Sequence, residues 1–200
     1  MGESQELLQI HVKSLEERLA DANKQIEDLK HKSGRDELTG LYNRNYYETN
    51  IDKIVQDAIT KKEKVGLYIF DLDGLKYVND NFGHRKDDKI LKNFSNLLSS
   101  SVRDYDIVIR LGGDEFAIIT RKATPQTEQK IKERLENKLK FYNKHSNKDI
   151  NCDVSCSKGY TEVDLSKKNA FESAFEIADQ KMYEEKRNYH AKLSNSNINK

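Results

Sequence analysis

Several features that mark whole classes of protein are scarce in this sequence of 200 residues. It has no tryptophan, one proline and two cysteines, which excludes a disulfide-rich framework. Cys152 and Cys156 fall four residues apart in a predicted strand, about 13 Å along one face, too far for a disulfide, so both are expected to be reduced. There is neither an apolar run of the roughly 18 residues that span a membrane nor a signal-peptide pattern. These absences predict a soluble, cytoplasmic protein with no membrane segment.

An excess of charge of one sign is also missing. The chain carries 35 Lys and Arg residues against 34 Asp and Glu residues, a formal net charge of +1. General nucleic-acid binding normally needs a large basic surplus, so nucleic acid is not an expected partner. The length suits one domain with an appendage.

The appendage is the amino-terminal segment, residues 1–34. Its apolar residues alternate at spacings of four and three, which is a heptad pattern: Leu8, Val12, Leu15, Leu19, Ala22, Ile26 and Leu29. β-Branched residues at one heptad position with Leu at the other favour a parallel two-stranded coiled coil. A single amphipathic helix packed on the domain is the alternative. We therefore expect a homodimer through these seven residues, with the helix ending at Ser33-Gly34.

The rest of the chain mixes helical and strand patterns. Apolar residues at helical spacing predict helices over about 46–61, 88–100, 124–142 and 170–189. A nearly continuous apolar run at 65–70 predicts a buried strand, two apolar runs around Gly112-Gly113 predict a hairpin, and a further strand is expected at about 150–163. The polar segment 193–200 is predicted to be a frayed tail. The pattern is that of an α/β domain over residues 35–192.

Acidic residues follow the buried strand and the hairpin turn. Asp71 and Asp73 stand at the carboxyl end of the strand, where ligands often bind, and oxygen ligands there suit Mg²⁺ or Mn²⁺. Asp114 and Glu115 follow the Gly-Gly bend directly. If the hairpin lies beside the strand, four carboxylates converge. Capping or turn aspartates, and a hairpin with solvated acids, are the alternatives.

These motifs together resemble the diguanylate cyclase (GGDEF) family. RLGGDEF at 110–116 resembles its signature, RDELTGLYNR at 35–44 its opening segment, DLDGLKYVNDNFGH at 71–84 its metal and guanine segment, and ADQKMYEEK at 178–186 its closing helix. The resemblance implies an α+β fold with a five-stranded, mainly antiparallel sheet flanked by helices. It also implies that two GTP molecules, one in each of two facing domains, are joined into cyclic dimeric GMP (c-di-GMP) with release of two pyrophosphates.

The resemblance also implies roles for particular residues. Asp71, Asp114 and Glu115, with the carbonyl of Leu72, would hold two Mg²⁺ or Mn²⁺ ions per GTP. Asp114 would also be the base, with Lys76 and Lys186 contacting phosphates. The residues that would bind the substrate are Asn79, His84, Asp88, Gly112 and Gly113. Without the resemblance, Lys76 would be read as a solvated lysine and His84 as a structural histidine.

Two departures from the family pattern stand out. The family has G-H-x-x-G-D where this chain has GHRKDD, which puts Asp87 at the usual glycine. This acid lies beside the expected guanine reader Asp88 or serves as a helix N-cap. The Arg that often follows the closing lysine by four residues is His190 here. We expect a differently shaped guanine loop and altered phosphate affinity.

Arg103 and Asp106 form an R-x-x-D motif, which the five residues Ile107 to Leu111 separate from Gly112. The resemblance implies a product-inhibition site, in which Arg pairs with phosphate or guanine and Asp with the guanine N–H edge; a surface ion pair is the alternative.

The sequence leaves three candidate functions. An active diguanylate cyclase is favoured over a catalytically weak GGDEF module that only binds GTP or c-di-GMP, and over a purely structural coiled-coil protein. The heptad helix is typical of segments that follow a sensor domain, so an upstream sensor or partner is also expected.

Overall fold

The computed structural model describes residues 2–145 and 153–198 of the chain. Among these residues there are six helices and five strands: α1 (Gly2–Ser33), β1 (Tyr42–Asn43), α2 (Arg44–Lys61), β2 (Val65–Asp73), α3 (Leu75–Phe82), α4 (His84–Ser101), β3 (Ile107–Gly112), β4 (Glu115–Arg121), α5 (Pro125–His145), β5 (Ser155–Glu162) and α6 (Ala170–Ile198). None of the described helices has an apolar stretch of the length that a bilayer crossing requires.

The predicted helices and strands are confirmed, with four differences. The two-residue strand β1 and the short helix α3 were not predicted. Helix α6 continues to Ile198, well into the segment expected to be a frayed tail. The last strand begins at Ser155, and Cys152 lies outside the described residues. Cys156 on β5 is a free cysteine, as predicted.

The five strands form one sheet in the order β1-β3-β4-β2-β5. Only β1 and β3 run parallel, and the other neighbours are antiparallel. This confirms the expected mainly antiparallel sheet. Strand β2 is an inner strand because β4 and β5 pair with its two sides.

Helices cover both faces of the sheet. Alternate residues of β2 enter different cores: Phe70 packs with residues of α4 and α5, whereas Leu67 and Ile69 pack with residues of α2 and α6. All nine residues of β2 are buried. The continuous apolar run in the sequence therefore reflects a strand that is covered on both faces.

Helix α6 crosses the sheet in direct contact with the backbone of β5. A Cβ atom placed on Gly159 would lie 1.9 Å from the carbonyl oxygen of Ala178 and 2.6 Å from the amide nitrogen of Met182. Only glycine permits this approach, because both atoms belong to the helix backbone. The contact fixes the segment of α6 that carries Lys186, one turn after Met182.

Helix α1 and the residues from Asp36 onward form two compact units. In α1 the large heptad residues Leu8, Val12, Leu15, Leu19, Ile26 and Leu29 are 46–64% exposed. The helix thus presents the apolar stripe that the heptad pattern predicts. That a second copy of the chain packs against this stripe stays a prediction.

Candidate active site

Three acidic residues are neighbours where β2 lies beside the start of β4. Asp71 of β2 is the direct cross-strand partner of Glu115, and the amide of Leu72 donates to the carbonyl of Asp114 over 3.1 Å. The predicted neighbourhood of Asp71, Asp114 and Glu115 is thus present. Strand pairing creates it, since the acids of the hairpin turn are placed by the register between β2 and β4.

Lys186 of α6 reaches into this group of carboxylates. Its Nζ lies 2.6 Å from Oδ1 of Asp71. Burial raises the pKa of Asp71, the charges of Asp114 and Asp73 add to this, and the ammonium of Lys186 opposes it. Burial works against the charge of Lys186, but its pKa is raised overall by the hydrogen bond and negative charge of Asp71 and by the charge of Asp114. The two groups stabilise each other's charged forms.

The carboxylate oxygens of Asp73 accept hydrogen bonds from β5. Its Oδ2 accepts from the hydroxyl of Ser155 over 2.8 Å, and its Oδ1 accepts from the hydroxyl of Ser157 over 2.7 Å. Both carboxylate oxygens therefore tie β2 to β5. Of the four predicted carboxylates, Asp71, Asp114 and Glu115 are therefore the neighbours at this edge of the sheet.

Glu115 faces both like and opposite charges. Burial raises the pKa of Glu115, with further contributions from the charges of Asp114 and Asp71, and Arg44 opposes them. The Nη2 atom of Arg44 is 3.8 Å from Oε2 of Glu115. Because both side chains are about half exposed, this ion pair is weak and Glu115 is available to a ligand.

The turn between β3 and β4 leaves open space above its backbone. Gly112 and Gly113 have φ angles of 148° and 51°, which disfavour other residues, and a Cβ on either would have no atom within 4 Å. Arg110 donates through Nε and Nη2 to the carbonyl of Gly113 over 3.2 and 2.9 Å. A ligand can therefore approach a turn whose backbone Arg110 holds in place.

A cavity of about 260 Å³ opens beside the turn. Four of the predicted site residues line it, namely Lys76, Asn79, Gly113 and Asp114, together with Asp87 and Arg110. The other three predicted substrate contacts, His84, Asp88 and Gly112, are exposed residues outside this lining.

In the R-x-x-D turn between α4 and β3, the acidic side chain is hydrogen-bonded to backbone amides. Buried Asp106 accepts from the amides of Arg103 and Arg121, each over 3.0 Å. Burial raises its pKa, and the two backbone hydrogen bonds oppose this. Arg103 is exposed, with its guanidinium 5.6 Å from the centroid of the Tyr105 ring. Arg103 is thus accessible to an anion, while Asp106 shapes the turn.

The donor set suits a divalent cation completed by phosphate oxygens. Within residues 2–145 and 153–198, no three His, Cys, Asp or Glu side chains are already grouped to hold a metal ion. Mg²⁺ usually takes only one or two carboxylates and receives its other ligands from water and substrate phosphates. Asp71 already holds a cationic group, the ammonium of Lys186. Asp71 and Asp114 therefore fit such an ion.

The family model described as diguanylate cyclase, GGDEF domain, matches residues 33–192. Because this match covers most of the chain, the protein belongs to the GGDEF family. Diguanylate cyclase DgcS of Shewanella oneidensis is 44% identical over 86 residues, which are 43% of this chain and 29% of DgcS. The chain thus spans less than a third of the length of this relative.

Solved structures share the fold. The coiled coil and GGDEF domain of DgcB from Caulobacter crescentus, in complex with c-di-GMP, matches with a TM-score of 0.69 at 24% identity, covering 88% of this chain and 95% of that one. Diguanylate cyclase SiaD of Pseudomonas aeruginosa, in complex with its activator SiaC, matches with a TM-score of 0.69 at 25% identity, covering 92% of this chain and 72% of that one.

Proposed function

We propose that this protein is a diguanylate cyclase that condenses two GTP molecules into c-di-GMP and releases two pyrophosphates. The observation that carries the proposal is the pairing of Asp71 with Glu115, which groups three carboxylates next to the cavity that Lys76 and Asn79 line. Family membership supports the same reaction. Each domain would hold one GTP, and two domains would face each other.

In the proposed reaction, the 3′-oxygen of each GTP forms a bond to the α-phosphorus of the other GTP. The bond from that phosphorus to the bridging oxygen of the β-phosphate breaks, and pyrophosphate leaves. Asp114 lies at the open turn, beside the cavity, where it would accept the proton of the 3′-hydroxyl. Each c-di-GMP therefore requires two such transfers.

Asp71, Asp114 and Glu115, with the carbonyl of Leu72, would hold two Mg²⁺ or Mn²⁺ ions per GTP. When bound, such ions would neutralise the triphosphate and stabilise the charge of the in-line transfer. Lys186 would then exchange its contact with Asp71 for a phosphate oxygen, and Lys76 would reach the phosphates from the cavity wall. Asn79 would contact the guanine through its amide.

Dimerisation through α1 would bring the two half-sites together. A monomer holds one GTP and lacks the second reactant. A coiled coil through Leu8–Leu29 would keep two domains at a high effective concentration. The exposed heptad stripe of α1 supports this arrangement.

Feedback inhibition by c-di-GMP is the regulatory part of the proposal. The exposed guanidinium of Arg103 is suited to a phosphate of the product. Asp106 would hold the turn that carries Arg103 through its contacts with two backbone amides. Arg103 would therefore supply most of the product affinity.

Incubation of the chain with GTP, with and without Mg²⁺, tests the proposal. Chromatography should detect one c-di-GMP and two pyrophosphates for every two GTP consumed, and chelation of the metal should stop the reaction. GTP that binds but stays intact would instead favour the binding module. GTP that neither binds nor reacts would contradict both functions.

A further inference from the structure

Helices α4 and α5 leave an exposed aromatic side chain beside a groove. Phe141 of α5 is 63% exposed and lines a cavity of about 390 Å³ together with Tyr142 and with Leu97 of α4. The ring of Phe141 stacks on that of His145, with 4.4 Å between the ring centroids. A large apolar side chain that is rimmed by polar residues in this way is typical of a protein interaction site.

Positive charge is concentrated next to this groove. On a helix surface the neighbours of a residue lie three and four positions away. For Phe141 these are Asn137, Lys138, Lys144 and His145. Helix α4 has two lysines and no acid from residue 89 to 101, and α5 has three lysines and no acid from residue 137 to 145. Because acids and bases are nearly equal in number over the whole chain, this absence of carboxylates gives the groove a positive potential of its own.

Contacts between the two helices hold the groove in shape. Nζ of Lys138 donates to the carbonyl and hydroxyl oxygens of Ser100 over 2.8 and 2.5 Å. The side-chain amide of Asn93 donates to the hydroxyl of Tyr142 over 3.1 Å. Phe141 and Lys144 are exposed, so a ligand can contact them without disturbing these hydrogen bonds. A groove that is formed in advance lowers the entropic cost of binding.

We propose that this groove is a docking site for an acidic segment of a partner protein. An apolar side chain of the partner inserts between Leu97 and Phe141, and its carboxylates lie next to Lys144. Charge complementarity selects an acidic partner, and aromatic residues are the usual anchors of protein interfaces. The inference goes beyond the proposed reaction and does not depend on it.

The shape and charge of the groove distinguish this partner from two other polyanions. A membrane surface is planar, so it would contact Phe141 and leave the concave groove beside it unfilled. Nucleic acid needs an extended basic surface and normally a large surplus of positive charge, whereas the formal net charge of this chain is +1. An acidic peptide with an apolar side chain satisfies both the lysines and the groove.

Fluorescence anisotropy of the full chain with a labelled peptide, in which Asp and Glu residues flank a Leu-Phe pair, tests this site. Binding should weaken as the salt concentration rises, because the carboxylates contact lysines. Phe141→Ser should weaken binding by at least about tenfold. Lys144→Glu should weaken it through charge repulsion and leaves the Phe141 ring in place. A peptide with Ser in place of the Leu-Phe pair should bind the wild type as weakly as the original peptide binds Phe141→Ser.

Two exposed residues away from the groove supply the matched controls, namely Tyr183→Ser on α6 and Lys130→Glu on α5. Both variants should bind the peptide as the wild type does, and thermal melts show whether each variant is folded. Wild-type protein that does not bind the peptide, or that binds it no better than Phe141→Ser and Lys144→Glu do, would overturn the proposal. Phosphatidylserine vesicles or single-stranded DNA that bind more tightly than the peptide, and through Phe141, would also overturn it.

Discussion

Arg110 and Asp36 form an ion pair between residues 74 positions apart in the sequence. The Nη1 atom of Arg110 donates to both carboxylate oxygens of Asp36 over 3.1 and 3.2 Å, while Nε and Nη2 hold the carbonyl of Gly113. The turn that carries Asp114 is therefore anchored to the segment just before the first strand.

The first prediction concerns the stability that this pair contributes. Burial alone would raise the pKa of Asp36, but hydrogen bonds from Thr39 and Arg110 outweigh it and lower the pKa. A carboxyl with a lowered folded-state pKa stabilises the fold above its unfolded pKa of about 3.9 and loses that contribution as the pH falls through the folded pKa.

Asp36→Asn should therefore lower the free energy of unfolding at pH 7 by about 1–2 kcal/mol, and the difference should narrow progressively below about pH 4. Urea denaturation at several pH values measures this, with Asp52→Asn on the exposed face of α2 as the control. A difference that stays constant from pH 7 to acid pH would show that the charge of Asp36 is not responsible.

The second prediction concerns the contact between β5 and α6. Gly159→Ala would place a methyl group against backbone atoms of Ala178 and Met182 that cannot rotate away. We expect a loss of at least about 2–3 kcal/mol in the free energy of unfolding. Turnover should fall further than the folded fraction does, because α6 carries Lys186. Thr161→Ala on the same strand should have little effect, and equal melting temperatures for the two variants would contradict the close approach.

The sequence predicts the long, periodic parts of the fold well. The apolar run of β2, the β3–β4 hairpin and helices α4 and α5 follow from periodicity, because each buries a continuous stripe. Strand β1 could not be predicted from the sequence, because two residues are too few to show a periodic pattern of apolar residues. The strand forms only through its pairing with β3. The acids at the hairpin turn were recognised from motif spacing, but their distance from Asp71 depends on the β2–β4 register.

Several contacts of the site could not be predicted from the sequence, because they depend on how distant segments of the chain come together. The pairing of Arg110 with Asp36 joins distant segments, so no local pattern signals it. Base recognition by Asp88 stays a prediction, and the place of Asp87 in the lining of the cavity depends on the direction of the first turn of α4. The hydroxyls of Ser155 and Ser157, which donate hydrogen bonds to Asp73, also belong to a different strand.

The third prediction separates the two residues of the R-x-x-D turn. Arg103→Ala should relieve inhibition by c-di-GMP with little change in melting temperature, because its guanidinium is exposed. Asp106→Ala should lower the melting temperature, because it leaves the amides of Arg103 and Arg121 without their acceptor. Initial rates with added c-di-GMP, together with thermal melts, distinguish the roles. Inhibition that is unchanged in Arg103→Ala would place the product site elsewhere.

The fourth prediction concerns α1. Replacing Leu15 and Leu19 with Glu would put like charges in the seam of a coiled coil and should give monomers. Their specific activity should fall at low protein concentration and recover partly at high concentration. Analytical ultracentrifugation with parallel assays would follow both. Monomers that stay fully active at nanomolar concentration would show that α1 is not the dimerising element.

The central claim is that the carboxylates joined by the β2–β4 register carry out the reaction of GTP. The initial rate of c-di-GMP formation by Asp114→Asn tests it most directly, because this change removes the charge of the proposed base and metal ligand while keeping its size. We expect a fall of roughly a thousandfold with an unchanged melting temperature, while Asp52→Asn keeps the wild-type rate. A folded Asp114→Asn protein that forms c-di-GMP at the wild-type rate would contradict the claim.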